Sequence, residues 1–464
     1  MRADRPSVVI TGLGAVTPLG VGVPAFARAL RAGRSGVSLL SFQDSRLKSS
    51  VAARCTDFDS RSVMSAADIT RVPALIPMAV AAAREAMTQA GLQFPNAAHA
   101  HAALYAADHL FESAADTSHD LEPTRQIGLI LGTGGGGIDF TLTQAAAFHA
   151  GERTSLWTIT NATHGNLAGE LSITLGLRGP SLCVSTGCAS SSDAVGIAMD
   201  QLRSDRPGAP RAVVVIGADA HVRVETIMGM ELLRVISTRD FRQNPSQAGT
   251  ASRPFDQSRD GFVLGEGAWA VVLERADHAT QRGARPIARA LGYGATCDAY
   301  HRVRPAPDLH ESARAIELAL ADATLETTDI EFVHYHGTGT PLNDATETAV
   351  IKKVFREHAP KLRGHSVKSS IGHPQGAGGL AALVSTLAGL TNADAEAGEG
   401  EGVGAGAFLL PTINLNTPDA QCDLNYTPNH ATLIDPETGH NILINCLAFG
   451  AKNSALIVRS LPPR

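Results

Sequence analysis

Little in this chain could cross-link it, anchor it in a membrane or draw it to a polyanion. Six cysteines in 464 residues (Cys55, Cys183, Cys188, Cys297, Cys422 and Cys446) include no CxxC pair, which excludes a zinc ribbon and a disulfide scaffold. The formal net charge of −6 leaves no basic footprint for nucleic acid or anionic lipid. The opening MRADRPSVVITGLG lacks the apolar core of a signal peptide. The longest apolar stretches, 72–83 and 380–390, fall short of the roughly 18 residues that mark a membrane span. A cytoplasmic chain without a membrane span is expected. GTGGGG (132–137) has neither dinucleotide-fingerprint spacing nor a following GK[ST], so its glycines read as a close backbone approach to a ligand or neighbouring chain rather than a phosphate cradle. His99, His101, His109 and His119 show no coherent ligand spacing and read as solvent-facing.

What is present is length, glycine and alternating apolar runs. A chain of 464 residues exceeds what one simple core supports, so two domains or two fused halves are expected, with a boundary near 275. Runs at 7–20, 127–137, 211–222, 261–274, 286–295, 330–340 and 441–460 read as buried strands. Segments 24–36, 76–92 and 312–325 read as helices, the second stopped by Gly91. This alternation predicts α/β layers around a mostly parallel sheet. Residues 95–124 and the low-complexity 392–407 read as insertions.

Three segments carry the chemistry: VSTGCASSSDAVG around Cys188, YHGTGTPLNDATE around His336, and VKSSIGHPQGAGG around Lys368 and His373. Apolar residues at 195, 198, 199 and 202 predict a helix after Cys188, which puts the sulfur at a helix N-terminus where the dipole favours thiolate. Small neighbours leave that sulfur open to a thioester, so Cys188 is the candidate nucleophile, and Cys183 the inert buried one. His336 follows a strand and faces a glycine turn; His334, on the same strand face by period, reads as a satisfied core histidine. His373 sits between glycines before another helix.

These motifs, with ITGLGAVTPLG, LRGPSLCVSTGCASS, RPFDQSRDGFVLGEGA, HGTGTPLND and PTINLNTPDAQCDLNYTPN, resemble the β-ketoacyl-[acyl-carrier-protein] synthase family in its elongating, Cys-His-His type, over nearly the whole chain. The resemblance implies a thiolase-like fold of two similar αβαβα halves forming five layers. The first half (1–275) would carry the nucleophile and the dimer interface, the second (276–464) the histidines, lysine and gating loop. It implies Cys188 as acyl acceptor, His336 and His373 as the histidine pair, and Lys368 with Glu347 as a supporting ion pair. Thr338 and Thr340 would contact the phosphopantetheine arm, and the backbone of Phe449 would complete an oxyanion site. The implied reaction is decarboxylative condensation with a malonyl-acyl-carrier thioester, needing no cofactor or metal of the enzyme's own. The implied partners are an acyl carrier protein and either a second copy or a chain-length-factor-like subunit. Arg71, Arg84, Arg203 and Arg206 are candidates for a carrier-binding patch, with solvated surface arginines as the alternative. A non-catalytic chain-length-factor-like role is the other functional reading, and the presence of Cys188, His336, His373 and Lys368 argues against it. An initiating synthase (Cys-His-Asn) does not fit IGHPQG, and a thiolase would need a second catalytic cysteine; INCLAFG around Cys446 does not match one.

Two departures from the family stand out. The gating loop, usually Gly-Phe-Gly-Gly-x-Asn, here runs Ala448-Phe449-Gly450-Ala451-Lys452-Asn453, and the added methyl groups should narrow its motion. Gly135 stands where a bulky apolar residue commonly walls the acyl pocket, so a longer pocket and a specialised polyketide or polyene pathway are expected.

Overall fold

The computed structural model describes residues 5–42, 44–92, 122–391 and 406–462. The four histidines between 99 and 119, and most of both insertions, lie outside them. One eleven-stranded sheet runs through the molecule. Its ten principal strands are β1 (Val8–Thr17), β2 (Ile127–Gly132), β3 (Ser181–Val184), β4 (Ala212–Asp219), β5 (Gly267–Arg275), β6 (Ala288–Cys297), β7 (Phe332–His334), β8 (Arg363–His365), β9 (Asn441–Ala448) and β10 (Lys452–Ser460). Their spatial order is β8-β7-β9-β10-β6-β1-β5-β4-β2-β3. Read outward from the middle, each half repeats one pattern: first, fifth, fourth, second and third strand of its own five. The halves join where Val8–Ile10 of β1 pair antiparallel with Ala288–Ala290 of β6.

The sheet is mixed, which corrects the expectation of a mostly parallel one. Only β2 with β3 and β4, and β7 with β8 and β9, pair parallel. The remaining principal pairings are antiparallel. The expectation failed because strands buried on both faces give the same unbroken apolar run in either direction.

Strand alternation assigns side chains to layers. In β4, Val213 and Val215 enter a central core while Ala212, Val214 and Ile216 enter an outer one. In β9, Ile442 and Ile444 face the centre and Leu443 a second outer core. The outer cores are closed by helices α1 (Leu75–Gln89) and α2 (His164–Leu175) on one side, α4 (His310–Ala323) and α5 (Pro341–Phe355) on the other. The central core holds α3 (Ser190–Leu202) and α6 (Gly378–Leu390). Three helical layers and two sheet layers result. All thirteen residues of α6 are buried, as a helix between two sheet faces requires. Glycines set the spacing in both halves alike. A Cβ at Gly12 or Gly14 would stand 1.9 Å from a carbonyl oxygen of α1, and one at Gly292 or Gly294 would stand 2.2 Å from one of α4.

Candidate functional site

The reactive residues gather where parallel strands end, the usual place for a site in α/β sheets. After β3, a 3-10 turn at Gly187–Ala189 delivers Cys188 to the N-terminus of α3, with Gly187 at φ 66°. His336 follows β7 by two residues, and Lys368 opens a short helix (Lys368–Ile371) after β8. His373 is held by backbone on both sides, its N–H donating to Val263 O at 2.7 Å and its carbonyl accepting from Gly265 N at 3.0 Å.

Cys188 Sγ lies 3.2 Å from His373 Nε2. The rings of His336 and His373 meet edge to face, their centroids 5.4 Å apart. One ligand atom of each of the three residues falls within 4.8 Å of the others, close enough to hold a metal ion. The Lys368 ammonium, 3.4 Å from His336 Nδ1, sets a positive charge against the cluster and disfavours a cation there. An ammonium can only donate, so it makes His336 Nδ1 an acceptor and leaves the ring's proton on Nε2. Among the described residues Nδ1 of His373 has no hydrogen-bond partner, so the sulfur decides where that ring carries its proton.

Burial dominates the electrostatics. It pushes the Cys188 thiol up to about 11 against the pull of the Phe449 N–H and the Lys368 charge. This corrects the expectation of a favoured thiolate: the helix N-terminus is there, and the loss of solvent outweighs it. Burial, then Lys368, hold both His336 and His373 well below the usual histidine range, so both imidazoles are neutral hydrogen-bonding groups.

Lys368 and Glu347 do not form the direct ion pair that the resemblance implies. Lys368 Nζ donates to His336 O at 2.7 Å. Glu347 accepts from the N–H groups of His336 (2.6 Å) and Gly337 (2.8 Å) and from Asn445 Nδ2 (2.7 Å). The two grip one backbone segment from different sides. Burial raises the Glu347 carboxyl to about 7 despite those donors. Thr338 and Thr340 stand together, hydroxyls 3.0 Å apart, and Thr340 also caps α5. The backbone N–H groups of Phe449 and Cys188 both face the sulfur, the arrangement an oxyanion site needs. Of the two alanines in the gating loop, Ala451 takes φ 63°, so one of the added methyl groups does sit in the left-handed region.

Gly135 does not widen a pocket. A Cβ there would lie 2.5 Å from the His221 ring, so the missing side chain makes room for that imidazole instead. The glycine turn wraps an internal carboxylate: Asp219 accepts from Thr133 Oγ1 and from the N–H groups of Gly134, Gly135 and Gly376. The close approach is therefore within the chain. His334 is buried, accepting from Val367 N at 3.3 Å, though its Nδ1 is unpartnered. Cys183 is partly rather than fully buried. The four arginine candidates differ in their surroundings, and Arg206 is exposed. Arg203 is spent on Asp322 and Leu291 O, Arg71 pairs with Asp68, and Arg84 donates to Val63 O. Cys446, read from sequence as a buried small residue, lies against the site, with Sγ 3.4 Å from His336 Nδ1. Gln375 and Asp219 had no signal in sequence, because partners far along the chain give them their places.

A nucleophilic thiol, two neutral imidazoles and paired backbone donors in a doubled α/β frame define an enzyme of thioester chemistry. The comparisons agree. The chain matches the family models described as Beta-ketoacyl synthase, N-terminal domain, over residues 5–279 and Beta-ketoacyl synthase, C-terminal domain, over residues 287–395; it belongs to the β-ketoacyl synthase family. It is 31% identical to 3-oxoacyl-[acyl-carrier-protein] synthase 2 of Synechocystis sp., covering 98% of each chain. It is 32% identical to the Coxiella burnetii protein of the same name, covering 98% of this chain and 99% of that one. Similar solved structures include a ketosynthase bound to the hexaketide, in complex with its type II PKS acyl-carrier protein (TM-score 0.80, 26% identity, 99% of this chain and 100% of that one). The ishigamide ketosynthase/chain length factor is similar too (TM-score 0.78, 29% identity, 99% and 100%). Among the described residues, no helix is long and apolar enough to cross a membrane.

Proposed function

We propose that this chain is an elongating β-ketoacyl-[acyl-carrier-protein] synthase, an acyltransferase that condenses a Cys188-bound acyl group with a malonyl-carrier thioester. The 3.2 Å contact between Cys188 Sγ and His373 Nε2, with His336 edge-on beside it, carries this reading. His373 takes the thiol proton as Sγ attacks the acyl thioester. The N–H groups of Cys188 and Phe449 hold the oxyanion until the carrier sulfur leaves, taking the proton back from His373 to depart as a thiol. A malonyl thioester then places its carbonyl oxygen between His336 Nε2–H and His373. Loss of carbon dioxide moves the electron pair onto that oxygen as an enolate, which the neutral His336 Nε2–H donor stabilises. The enolate carbon attacks the acyl carbonyl, the bond to sulfur breaks, and the β-ketoacyl-carrier product departs with Cys188 restored.

In this reading Lys368 and Glu347 fix the His336 backbone, and Thr338 and Thr340 touch the phosphopantetheine arm. The chemistry calls on no metal or redox cofactor. The partners are an acyl carrier protein and either a second copy or a chain-length-factor-like subunit, in the cytoplasm. The relatives' names place the pathway in fatty-acid or polyketide synthesis. A non-catalytic partner role is disfavoured because thiol, imidazoles and ammonium are not only present but assembled. Intact-protein mass spectrometry with a panel of acyl-carrier thioesters tests the reading. Wild type should gain one acyl group and lose it when malonyl-carrier is added, while Cys188→Ala should gain none. An acyl group retained in Cys188→Ala would sink it.

A further inference from the structure

The segment joining His373 to α6 holds a residue that the chemistry above does not use. Gln375 is 7% exposed and sits at φ 47°, a left-handed conformation that strains a non-glycine residue. Its Oε1 stands 3.9 Å from Cys188 Sγ. Its Nε2 is buried with no hydrogen-bond partner among the described residues. A buried amide nitrogen left unpaired is costly, and native structures seldom tolerate it without a use. The nearby carboxylate cannot serve it, since Asp219 is already taken by Thr133, Gly134, Gly135 and Gly376. The glycine turn packs close by: a Cβ at Gly134 would come within 3.5 Å of Gln375 Cβ.

We infer that Gln375 is a specificity-determining residue whose Nε2–H donates to an oxygen on the β-carbon of the acyl chain carried by Cys188. The inference rests on the synthase reading above. A β-oxygen lies four bonds beyond the sulfur, roughly 4 Å away in a bent chain, and Nε2 belongs to the same carboxamide as an Oε1 3.9 Å from that sulfur. The thioester oxygen itself is served by the Cys188 and Phe449 N–H groups, so Gln375 remains for the next oxygen along. The substrate class is a β-keto- or β-hydroxyacyl group. A fully reduced acyl chain would bury an unpaired N–H, and sites built around such a donor discriminate strongly against the analogue that lacks the acceptor.

The test is competition for Cys188 between 3-hydroxyoctanoyl-pantetheine and octanoyl-pantetheine, read by intact mass. Wild type should load the hydroxylated chain about tenfold faster or more. Gln375→Leu keeps the shape and the same backbone strain and should bring the ratio close to one. Should that variant not fold, as judged by its thermal midpoint, Gln375→Met takes its place. Equal loading by wild type, or a ratio unchanged in the variant, overturns the inference while leaving the synthase reading intact. A variant that slows Cys188 alkylation by iodoacetamide without moving the ratio assigns Gln375 to the thiolate and also overturns it. Loading of neither donor by wild type removes both readings.

Discussion

Cys188 shows how burial and polar contacts divide the control of a reactive group. A helix N-terminus, two backbone N–H groups and a nearby ammonium all favour thiolate, yet burial wins and the thiol sits at about 11. The resting pair is therefore neutral thiol beside neutral imidazole, and in the proposed mechanism deprotonation belongs to the attack itself, with His373 as acceptor. Iodoacetamide alkylation of Cys188 should keep accelerating as pH rises past 9 toward about 11, where an ordinary exposed thiol would already have levelled off. A plateau near pH 8 would show instead that the helix end prevails. At this scale the sequence was legible wherever chemistry and small neighbours coincide, as at Cys188, His336 and His373. It was opaque at Gln375 and Asp219. Gln375 owes its meaning to a missing partner, and Asp219 to donors from positions 133–135 and 376, which no local pattern can express.

Among the elements, the connection between halves is the one most exposed to pH. Glu274 closes β5 with its side chain fully buried. It accepts from Thr11 on β1, from Arg282 just before β6, and contacts His278 on the connecting helix at 2.9 Å. Burial pushes its carboxyl up, but Arg282, His278 and Thr11 outweigh that and hold it near 2, below its ordinary 4.5. A depressed folded value means the stabilisation is complete above pH 4.5 and is lost as pH falls through 4.5 toward 2. Glu274→Gln leaves the partly buried Arg282 without its counter-charge and should cost about 3 kcal/mol at pH 7. Denaturant titrations of the variant and wild type should converge as pH drops through that window; a gap that persists at pH 2.5 would assign the loss to shape instead. Sequence located these strands and helices because apolar runs and glycine stops are local. It could not give their direction: β4 and β5 are equally apolar, and only the long connection between them and the paired backbone make them antiparallel.

For the whole molecule, the open question is what covers the outer edge of the first half. β3 ends the sheet with Leu182 exposed, and Phe148, Leu156 and Ile159 are 69%, 86% and 76% exposed. An unpaired strand edge and large apolar side chains left in solvent are surfaces for another chain. The protein should run as a dimer in light scattering, and Leu182→Lys combined with Ile159→Asp should give monomers that still unfold cooperatively. Dimers persisting in that double variant would move the interface elsewhere. The sequence alone determined the α/β class from its apolar runs and, through its motifs, the family with its doubled architecture and the trio Cys188, His336 and His373 that the fold brings together, because burial period and reactive side chains are written residue by residue. Tertiary structure alone decided that Gly135 admits His221 rather than an acyl chain, and that Lys368 and Glu347 hold a backbone instead of each other. It also decided that burial sets the Cys188 proton. Each of those is a contact or a loss of solvent created by segments far apart in the chain, which exists only once the two halves have closed on each other.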